Sequence, residues 1–165
     1  AFKQRTVDKT YRALVQGLPD PLQGTIYAPI GRHPGHDYKF SVMDSGKHAV
    51  THYELLEAFR HASLLEIKLE TGRTHQIRVH MAHAGLGLIG DPVYGGARRA
   101  SVRSLGRAAE AVSVFPRQAL HAAHLGFAHP VDGRWLSFDS ELPPDMQALL
   151  DALRGTPAVD ATFPG

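Results

Sequence analysis

The chain has 165 residues, 43% hydrophobic and 21% charged, a composition typical of one globular domain rather than of a disordered or fibrous protein. Eighteen lysines and arginines against sixteen aspartates and glutamates give a formal net charge of +2, and no apolar run approaches the roughly 20 residues of a membrane span. The lack of cysteine excludes thiol catalysis, disulfides and cysteine-bound zinc, and we expect a cytoplasmic location.

The first half of the chain predicts short strands joined by turns. Large apolar and polar side chains alternate over Lys9–Gln16 and stop at a turn rich in glycine and proline. Thr25–Ile30 is predicted to be a second short strand. Ala49–Phe59 is also predicted to be a strand, because Val-Thr-His-Tyr lies near the start of that segment. Residues 31–46 read as a polar, basic loop, whereas strict alternation over residues 65–70 gives the clearest strand of the sequence.

The next elements are a helix, a surface excursion and a hairpin. Apolar residues at spacings of four and three predict a helix over Thr74–Ala84, with Thr74 as its N-cap. Ala97–Ser113, rich in arginine, alanine and serine, predicts a surface excursion with a short helix. Leu120–Phe127 and Arg134–Asp139 are predicted strands, and the Asp-Gly pair between them is a hairpin signal.

The chain closes with an amphipathic helix. Methionine and leucine at i, i+3, i+4 and i+7 from Met146 to Leu153 form its apolar stripe, and prolines stand at its start. Residues 155–165 are expected to form a frayed tail. Strands and helices in this order predict a single α+β unit, a mostly antiparallel mixed sheet flanked by helices.

One segment, from Leu69 to Met81, places a strand end, a glycine turn and a helix start next to each other. Four polar side chains crowd this junction: Arg73, His75, Gln76 and Arg78. Unpaired N–H groups and the dipole at a helix start attract anions, so the segment is either an anion site or a well-capped helix. An inward-facing Arg78 would need a carboxylate partner, because a lone buried charge is too costly.

The charge of the chain is uneven along its length. Residues 71–110 contain six arginines but only two acidic residues, Asp91 and Glu110. The arginines are Arg73, Arg78, Arg98, Arg99, Arg103 and Arg107. The stretch is therefore a candidate surface for a polyanion, with an ordinary solvated face as the alternative.

Two other patterns in this region are weaker candidates for chemistry. Gly85–Gly90 matches the dinucleotide-binding glycine pattern, but that pattern needs a preceding strand and a following helix. Here a predicted helix precedes it and Asp91-Pro92 follows. His75, His80 and His83 suggest a metal site, but His75 turns away from the other two on a helix and no carboxylate completes the set.

Three motifs resemble, in order, those of the RluA/RluD-type RNA pseudouridine synthases. They are Lys9–Ala13, then Leu69–His80 with Gly90–Gly95, and then Arg117–Ala122 with His129-Pro130. The likeness runs from about Phe2 to about Leu153, and Arg32–Pro34 and His48–Tyr53 are most similar to the RluD-like branch. The chain departs from the family at Gly87-Leu88, where many members have a proline and an aliphatic residue.

The resemblance implies a pseudouridine synthase-like fold and a cofactor-free isomerase that acts on RNA. Such an enzyme breaks the C1′–N1 bond of a uridine, turns the uracil and rejoins it through C5. It requires an aspartate in a His-Arg-Leu-Asp-x-x-Thr-Ser-Gly motif, which these 165 residues do not contain. We therefore expect residues 1–154 to be the C-terminal part of a catalytic domain, incomplete at its N-terminus, monomeric and inactive alone, with large-subunit (23S-type) ribosomal RNA as partner and no membrane.

The resemblance also assigns roles to residues of this chain. Arg78 is implied to pair with the missing aspartate, and Tyr11 to stack on the target base and help remove its C5 proton; the alternative for Tyr11 is a core strand tyrosine. Four residues are expected to bind substrate: Arg73, His75, Gln76 and Ile89, the last lining the uracil pocket. Four more either face RNA or form an ordinary wet loop: Arg32, His33, Lys39 and Lys47.

Two alternatives to the enzyme remain open. One is a non-catalytic RNA-binding module that keeps the fold and lacks the aspartate by evolution. A reading frame with an upstream His-Arg-Leu-Asp segment would favour the enzyme, and a start codon near Ala1 the module. The other, weaker alternative is a histidine-dependent metalloenzyme, which would carry stoichiometric zinc or manganese.

Overall fold

A computed structural model describes residues 7–35, 39–95 and 108–155, which contain eight strands and three helices. The strands are β1 (Val7–Gln16), β2 (Gln23–Tyr27), β3 (Ile30–Arg32), β4 (Phe40–Val42), β5 (Val50–Phe59), β6 (Ala62–Leu69), β7 (Leu120–Ala128) and β8 (Trp135–Asp139). The helices are α1 (Gln76–His83), α2 (Ala109–Ser113) and α3 (Pro144–Arg154). No helix in these ranges is long and apolar enough to cross a membrane.

Six of the strands form one sheet in the order β2-β5-β6-β1-β7-β8, and every neighbouring pair is antiparallel. This arrangement confirms the predicted α+β class with its antiparallel sheet. The predicted loop at residues 31–46 is wrong in part, because β3 and β4 pair there as a separate two-stranded hairpin. Each of these strands has only three residues, too few for an alternation of side chains to reveal them.

Strand β1 lies at the centre of the sheet and contributes to the two larger hydrophobic clusters, one on each face. On one face, Ala13 and Val15 join the apolar side of α1, including Ile77 and Met81. On the other face, Leu14 joins a cluster with all four apolar residues of the α3 stripe: Met146, Leu149, Leu150 and Leu153. Successive side chains of a strand point to opposite faces, so one central strand holds a helix against each side of the sheet.

Helix α1 begins two residues later than predicted and without the predicted cap. Its N-cap is His75, in the left-handed region at φ 56°, and no side chain caps it. The Gln76 side-chain oxygen instead accepts hydrogen bonds from the Arg73 N–H and the Thr71 hydroxyl. The junction is therefore closed by a side chain of the first turn, and the predicted Thr74 cap is wrong.

Some expectations fall wholly or partly outside the described residues. Arg98, Arg99, Arg103 and Arg107 of the basic stretch lie there, as does most of the excursion over residues 97–113. Helix α2, at the end of that excursion, is the short helix the sequence predicted. Of the expected tail at 155–165, only Gly155 is described, as the residue that follows α3.

Candidate active site

Arg78 faces inward and is paired with a carboxylate, the partner that an inward-facing arginine needs. Its Nε and Nη2 groups donate to the two carboxylate oxygens of Asp91, each at 2.9 Å. The Arg78 side chain is 14% exposed and that of Asp91 is fully buried. The guanidinium also lies 5.0 Å from the centre of the Tyr94 ring. Two parallel charge-assisted bonds fix both the position and the plane of the guanidinium.

The loop that follows α1 is built to hold the Asp91 carboxylate ionised. Burial would raise the pKa of Asp91, but hydrogen bonds from Arg78 and from the backbone N–H groups of Tyr94 and Val93 outweigh that effect. The pKa therefore lies below its usual range. With both oxygens occupied and no exposed side-chain surface, Asp91 serves to orient Arg78 and is not placed to attack a substrate.

The edge of the Arg78 guanidinium that faces away from Asp91 can still donate hydrogen bonds. Bonding to Asp91 uses Nε and one hydrogen of Nη2, and a guanidinium has five N–H donors. Among residues 7–35, 39–95 and 108–155, no partner takes the remaining three. The geometry thus presents an oriented cation, held from behind, that can meet a second anionic group.

An aromatic cluster connects Arg78 with the β3–β4 hairpin. The Tyr94 hydroxyl accepts the Phe40 N–H at 2.8 Å and shares a 2.9 Å hydrogen bond with Nδ1 of His75. The His75 ring stands edge-on to both Phe40 and Tyr94, with ring centres 5.7 and 5.6 Å away. Burial, and then the charge of Arg78, lower the pKa of His75, against the opposite effect of Asp91. His75 is therefore held neutral beside the site.

Gln76, expected to bind substrate, is a structural residue. It is 2% exposed, and its amide nitrogen donates to the Val50 carbonyl and to the Thr51 hydroxyl. Its oxygen accepts the two bonds that close the start of α1. All four hydrogen-bonding positions of the side chain are filled within the fold, so this structure leaves none for a substrate, and substrate binding by Gln76 stays a prediction.

Ile89, expected to line the uracil pocket, is also a core residue. It is 0% exposed and packs in the α3-side cluster with Leu14. Its N–H donates to the Leu14 carbonyl, and its own carbonyl accepts the Ala119 N–H. The apolar residue before Gly90 therefore fastens the loop to the sheet, and no surface remains for a base.

His80 shows why the histidines of α1 do not suggest a metal. Its Nε2 bonds to the Ala28 carbonyl at 2.9 Å and its Nδ1 to the Thr51 hydroxyl at 2.7 Å, with no exposed surface. Burial lowers its pKa, so His80 is a neutral, satisfied core residue. No group of three potential metal ligands occurs among the described residues.

Tyr11 lies half-buried on the same face of the sheet as α1. It stands opposite Ile67 of β6 and Ala122 of β7 and packs against the cluster that contains Ile77. Ile77 is the residue before Arg78 in α1. Tyr11 and the helix that carries Arg78 therefore lie on the same face of the sheet; the chemical roles of the two residues stay predictions.

The basic residues expected to face RNA are separated by the hairpin into two groups. Arg32 stacks over the Phe40 ring at 5.1 Å, and Lys47 is exposed at the base of the hairpin. Lys39 lies 5.9 Å from the centre of the Tyr94 ring, and His33 accepts the Gly35 N–H. Arg73, predicted as a substrate contact, lies with Arg32 and Lys47 around one cavity.

Sequence reasoning missed the roles of Asp91 and Tyr94. A signal for Asp91 was present, because it is the only acidic residue between positions 71 and 109 and Arg78 needs a carboxylate. Tyr94 has no comparable signal, since its partners Phe40 and His75 are 54 and 19 positions away.

Solved structures that share this fold define the class of the domain, which is similar to pseudouridylate synthase domains. The chain superposes on human RNA pseudouridylate synthase domain containing 4 with a TM-score of 0.68 and 25% identity, over 90% of this chain and 62% of that one. The superposition on human RNA pseudouridylate synthase domain containing 1 has a TM-score of 0.67 and 26% identity, and it covers 92% of this chain and 67% of that one.

Sequence comparisons give the family. Residues 1–83 match the model of the RNA pseudouridylate synthase family. An uncharacterized RNA pseudouridine synthase of Mycobacterium bovis is 55% identical over 94% of this chain and 47% of its own length. Ribosomal large subunit pseudouridine synthase D of Pseudomonas aeruginosa is 49% identical over 93% and 48%. The chain belongs to the pseudouridine synthases of the RluA/RluD type, and it spans about half the length of the curated relatives it matches.

Proposed function

We propose that the protein containing this chain isomerises specific uridines of RNA to pseudouridine, with large-subunit ribosomal RNA as the substrate and the cytoplasm as its location. The observation that carries the proposal is Arg78, fixed on one edge by buried Asp91 and open on the other. Family membership supplies the reaction class, and the names of several relatives point to the large ribosomal subunit.

In this proposal Arg78 orients and keeps ionised a catalytic aspartate that lies outside these 165 residues. A neighbouring cation lowers the pKa of a carboxylate, and an aspartate that acts on the sugar must be unprotonated. Residues 1–154 would then be the C-terminal part of the catalytic domain. Curated relatives about twice as long are consistent with this division.

Tyr11 would act on the base in the same proposal. Its ring can stack on a uracil that has been turned out of the RNA, and stacking is worth about 1–3 kcal/mol per base. During the reaction the C1′–N1 bond breaks, the C1′–C5 bond forms, C5 loses its proton and N1 gains one. Tyr11 is proposed to assist the loss of the C5 proton.

The test uses the full-length protein and RNA carrying tritium at C5 of uridine. Isomerisation releases that tritium, so its appearance in water measures the reaction without any assumption about the site. We expect the full-length protein to release tritium from large-subunit ribosomal RNA. We expect no release when the 165-residue chain alone is added to the same RNA. RNA binding by the full-length protein without release from any ribosomal RNA would favour the non-catalytic binding module.

Two variants separate the role of Arg78 from a general loss of structure. Arg78→Lys keeps the charge but loses the bidentate geometry, so we expect a large fall in kcat with little change in RNA affinity. Arg154→Lys is the matched control, because Arg154 makes a bidentate pair with Glu57 in an exposed position on α3. Equal losses of kcat and affinity in Arg78→Lys would make Arg78 a binding residue instead.

A further inference from the structure

The β3–β4 hairpin and the start of α1 enclose a cavity of about 380 Å³ whose charged lining residues are all cations. Arg32 comes from β3, Lys47 from the segment after β4, and Arg73 from the turn before α1. None of its ten lining residues is acidic. A cleft lined by charges of one sign concentrates ions of the opposite sign.

Hydrogen bonds to backbone groups hold the main chain of Lys47 and the guanidinium of Arg73 at the cavity. Lys47 is held against β3 by reciprocal hydrogen bonds with Ile30, at 2.8 and 2.9 Å. Gly46 makes that approach possible, since a Cβ there would lie 2.4 Å from the Ile30 carbonyl carbon. Arg73 donates its Nε to the His48 carbonyl at 2.7 Å, and its two Nη groups have no partner among the described residues.

The cavity is connected to Arg78 by contacts between rings. Phe40 lines the cavity and carries the Arg32 guanidinium on its face. The ring of His75 touches both Phe40 and Tyr94, and the face of Tyr94 meets Arg78. Ring contacts through Phe40, His75 and Tyr94 therefore join the cavity to the surroundings of Arg78.

A second cavity of similar size provides the contrast. It has about 370 Å³ and lies on the outer strands of the sheet, where Glu54 and Glu66 accompany Lys68 and His52. Two carboxylates beside one lysine repel a polyanion. The two cavities therefore differ in charge and hardly in volume. Of the two, the hairpin cavity has the charge that suits a phosphate.

We propose that Arg32, Lys47 and Arg73 form a site for a backbone phosphate of the RNA, next to the nucleotide that is modified. The inference rests on the proposed function for its choice of RNA as the polyanion. Phosphate contacts set the register of a nucleic acid without reading its sequence. The site would therefore place the strand relative to Arg78 and leave the choice of uridine to other contacts.

The experiment measures RNA affinity of the full-length protein as a function of salt. Lys47→Gln and Gly72→Glu alter the cavity with little effect on the fold, because Lys47 is exposed and no atom lies within 4 Å of a Cβ built on Gly72. A plot of log K against log salt concentration has a negative slope, and the loss of one phosphate contact makes that slope less steep by about 0.7 for single-stranded RNA. We expect that change in both variants and none in the control Lys68→Gln.

A series of short RNAs, each with one neutral methylphosphonate linkage, identifies the phosphate. One linkage should weaken binding to the wild type more than binding to Lys47→Gln, since the variant has already lost part of the same contact. Equal sensitivity of wild type and variant at every linkage, or an unchanged salt slope, would overturn the site. Inorganic phosphate can also be added as a competitor of RNA for binding to the protein. If it displaces methylphosphonate RNA and unmodified RNA equally well, the cavity binds free phosphate and not the RNA backbone, and the proposed site is overturned.

Tritium release in the same samples separates the two proposals. An altered slope without any isomerisation would leave the phosphate site standing and remove the proposed reaction. Normal isomerisation with unaltered salt slopes would support the proposed reaction and overturn the phosphate site.

Discussion

Two arginine–carboxylate pairs of this molecule have the same geometry in different surroundings. Arg78 meets Asp91, and Arg117 meets Asp145, in each case through Nε and Nη2 at 2.9 Å. The side chains of the first pair are 14% and 0% exposed, and those of the second 39% and 40%. Distances alone would rank the pairs equal, but water screens only the second. Burial therefore decides which pair the fold and the site depend on.

The largest effect is expected from Asp91→Asn. The change keeps the size of the side chain but leaves the Arg78 charge unpaired in a mostly buried position. We expect a loss of about 3 kcal/mol in the free energy of unfolding, the lower limit for breaking a buried pair. Urea unfolding at pH 7 measures it. A loss no larger than that of Asp145→Asn would end the distinction between the two pairs.

Tyr94→Phe tests the hydrogen bonds around the buried pair. Removing the hydroxyl leaves the Phe40 N–H without its acceptor and takes a partner from His75. The expected cost is about 1–3 kcal/mol, the penalty for an unsatisfied polar group, read from the same urea titration. Tyr27→Phe is the control, because Tyr27 is 70% exposed; a similar loss there would contradict the assignment.

The pH dependence of stability sharpens the contrast further. Burial lowers the pKa of His80 in the folded state, so the unfolded chain binds that proton more tightly. Stability should be complete above the ordinary histidine value of about 6.5 and fall as pH decreases below it. Thermal unfolding between pH 7.5 and 5.5 measures the fall. His80→Gln should reduce this pH dependence, because it removes the buried group that the unfolded chain protonates more readily.

The smallest effect is expected from Asp145→Asn. The pair with Arg117 is exposed, so salt already screens it and water can replace it. We expect unfolding in urea to change by no more than the error of the measurement in both low and high salt. A salt-dependent loss would show that this exposed pair contributes to stability after all.

Much of the fold was predictable because its pattern is local. Alternation over residues 65–70 and the apolar stripe from Met146 to Leu153 identify β6 and α3 without further information. The short hairpin strands could not be found this way, since Ile30–Arg32 and Phe40–Val42 are held by pairing with each other. Their stability comes from tertiary contacts and not from propensity.

The candidate site was predictable as a segment and not as individual residues. Residues 69–81 were correctly identified as the place where a strand, a turn and a helix meet. The resemblance also implies that Gln76 binds substrate, whereas its burial depends on Val50 and Thr51 of β5, which only the folded chain places against it. The resemblance implies that Ile89 lines a base pocket, whereas in the structure Ile89 packs in the cluster that contains the apolar stripe of α3.

The sequence by itself determined the family, the alternating sheet and the requirement that an inward Arg78 find a carboxylate. Only the tertiary structure decided that Asp91 supplies it and that Lys47 and Arg73 share a cavity. The reason is physical: strand and helix periods depend on neighbours a few positions apart. Ion pairs and cavities depend on segments that meet only after the sheet has closed.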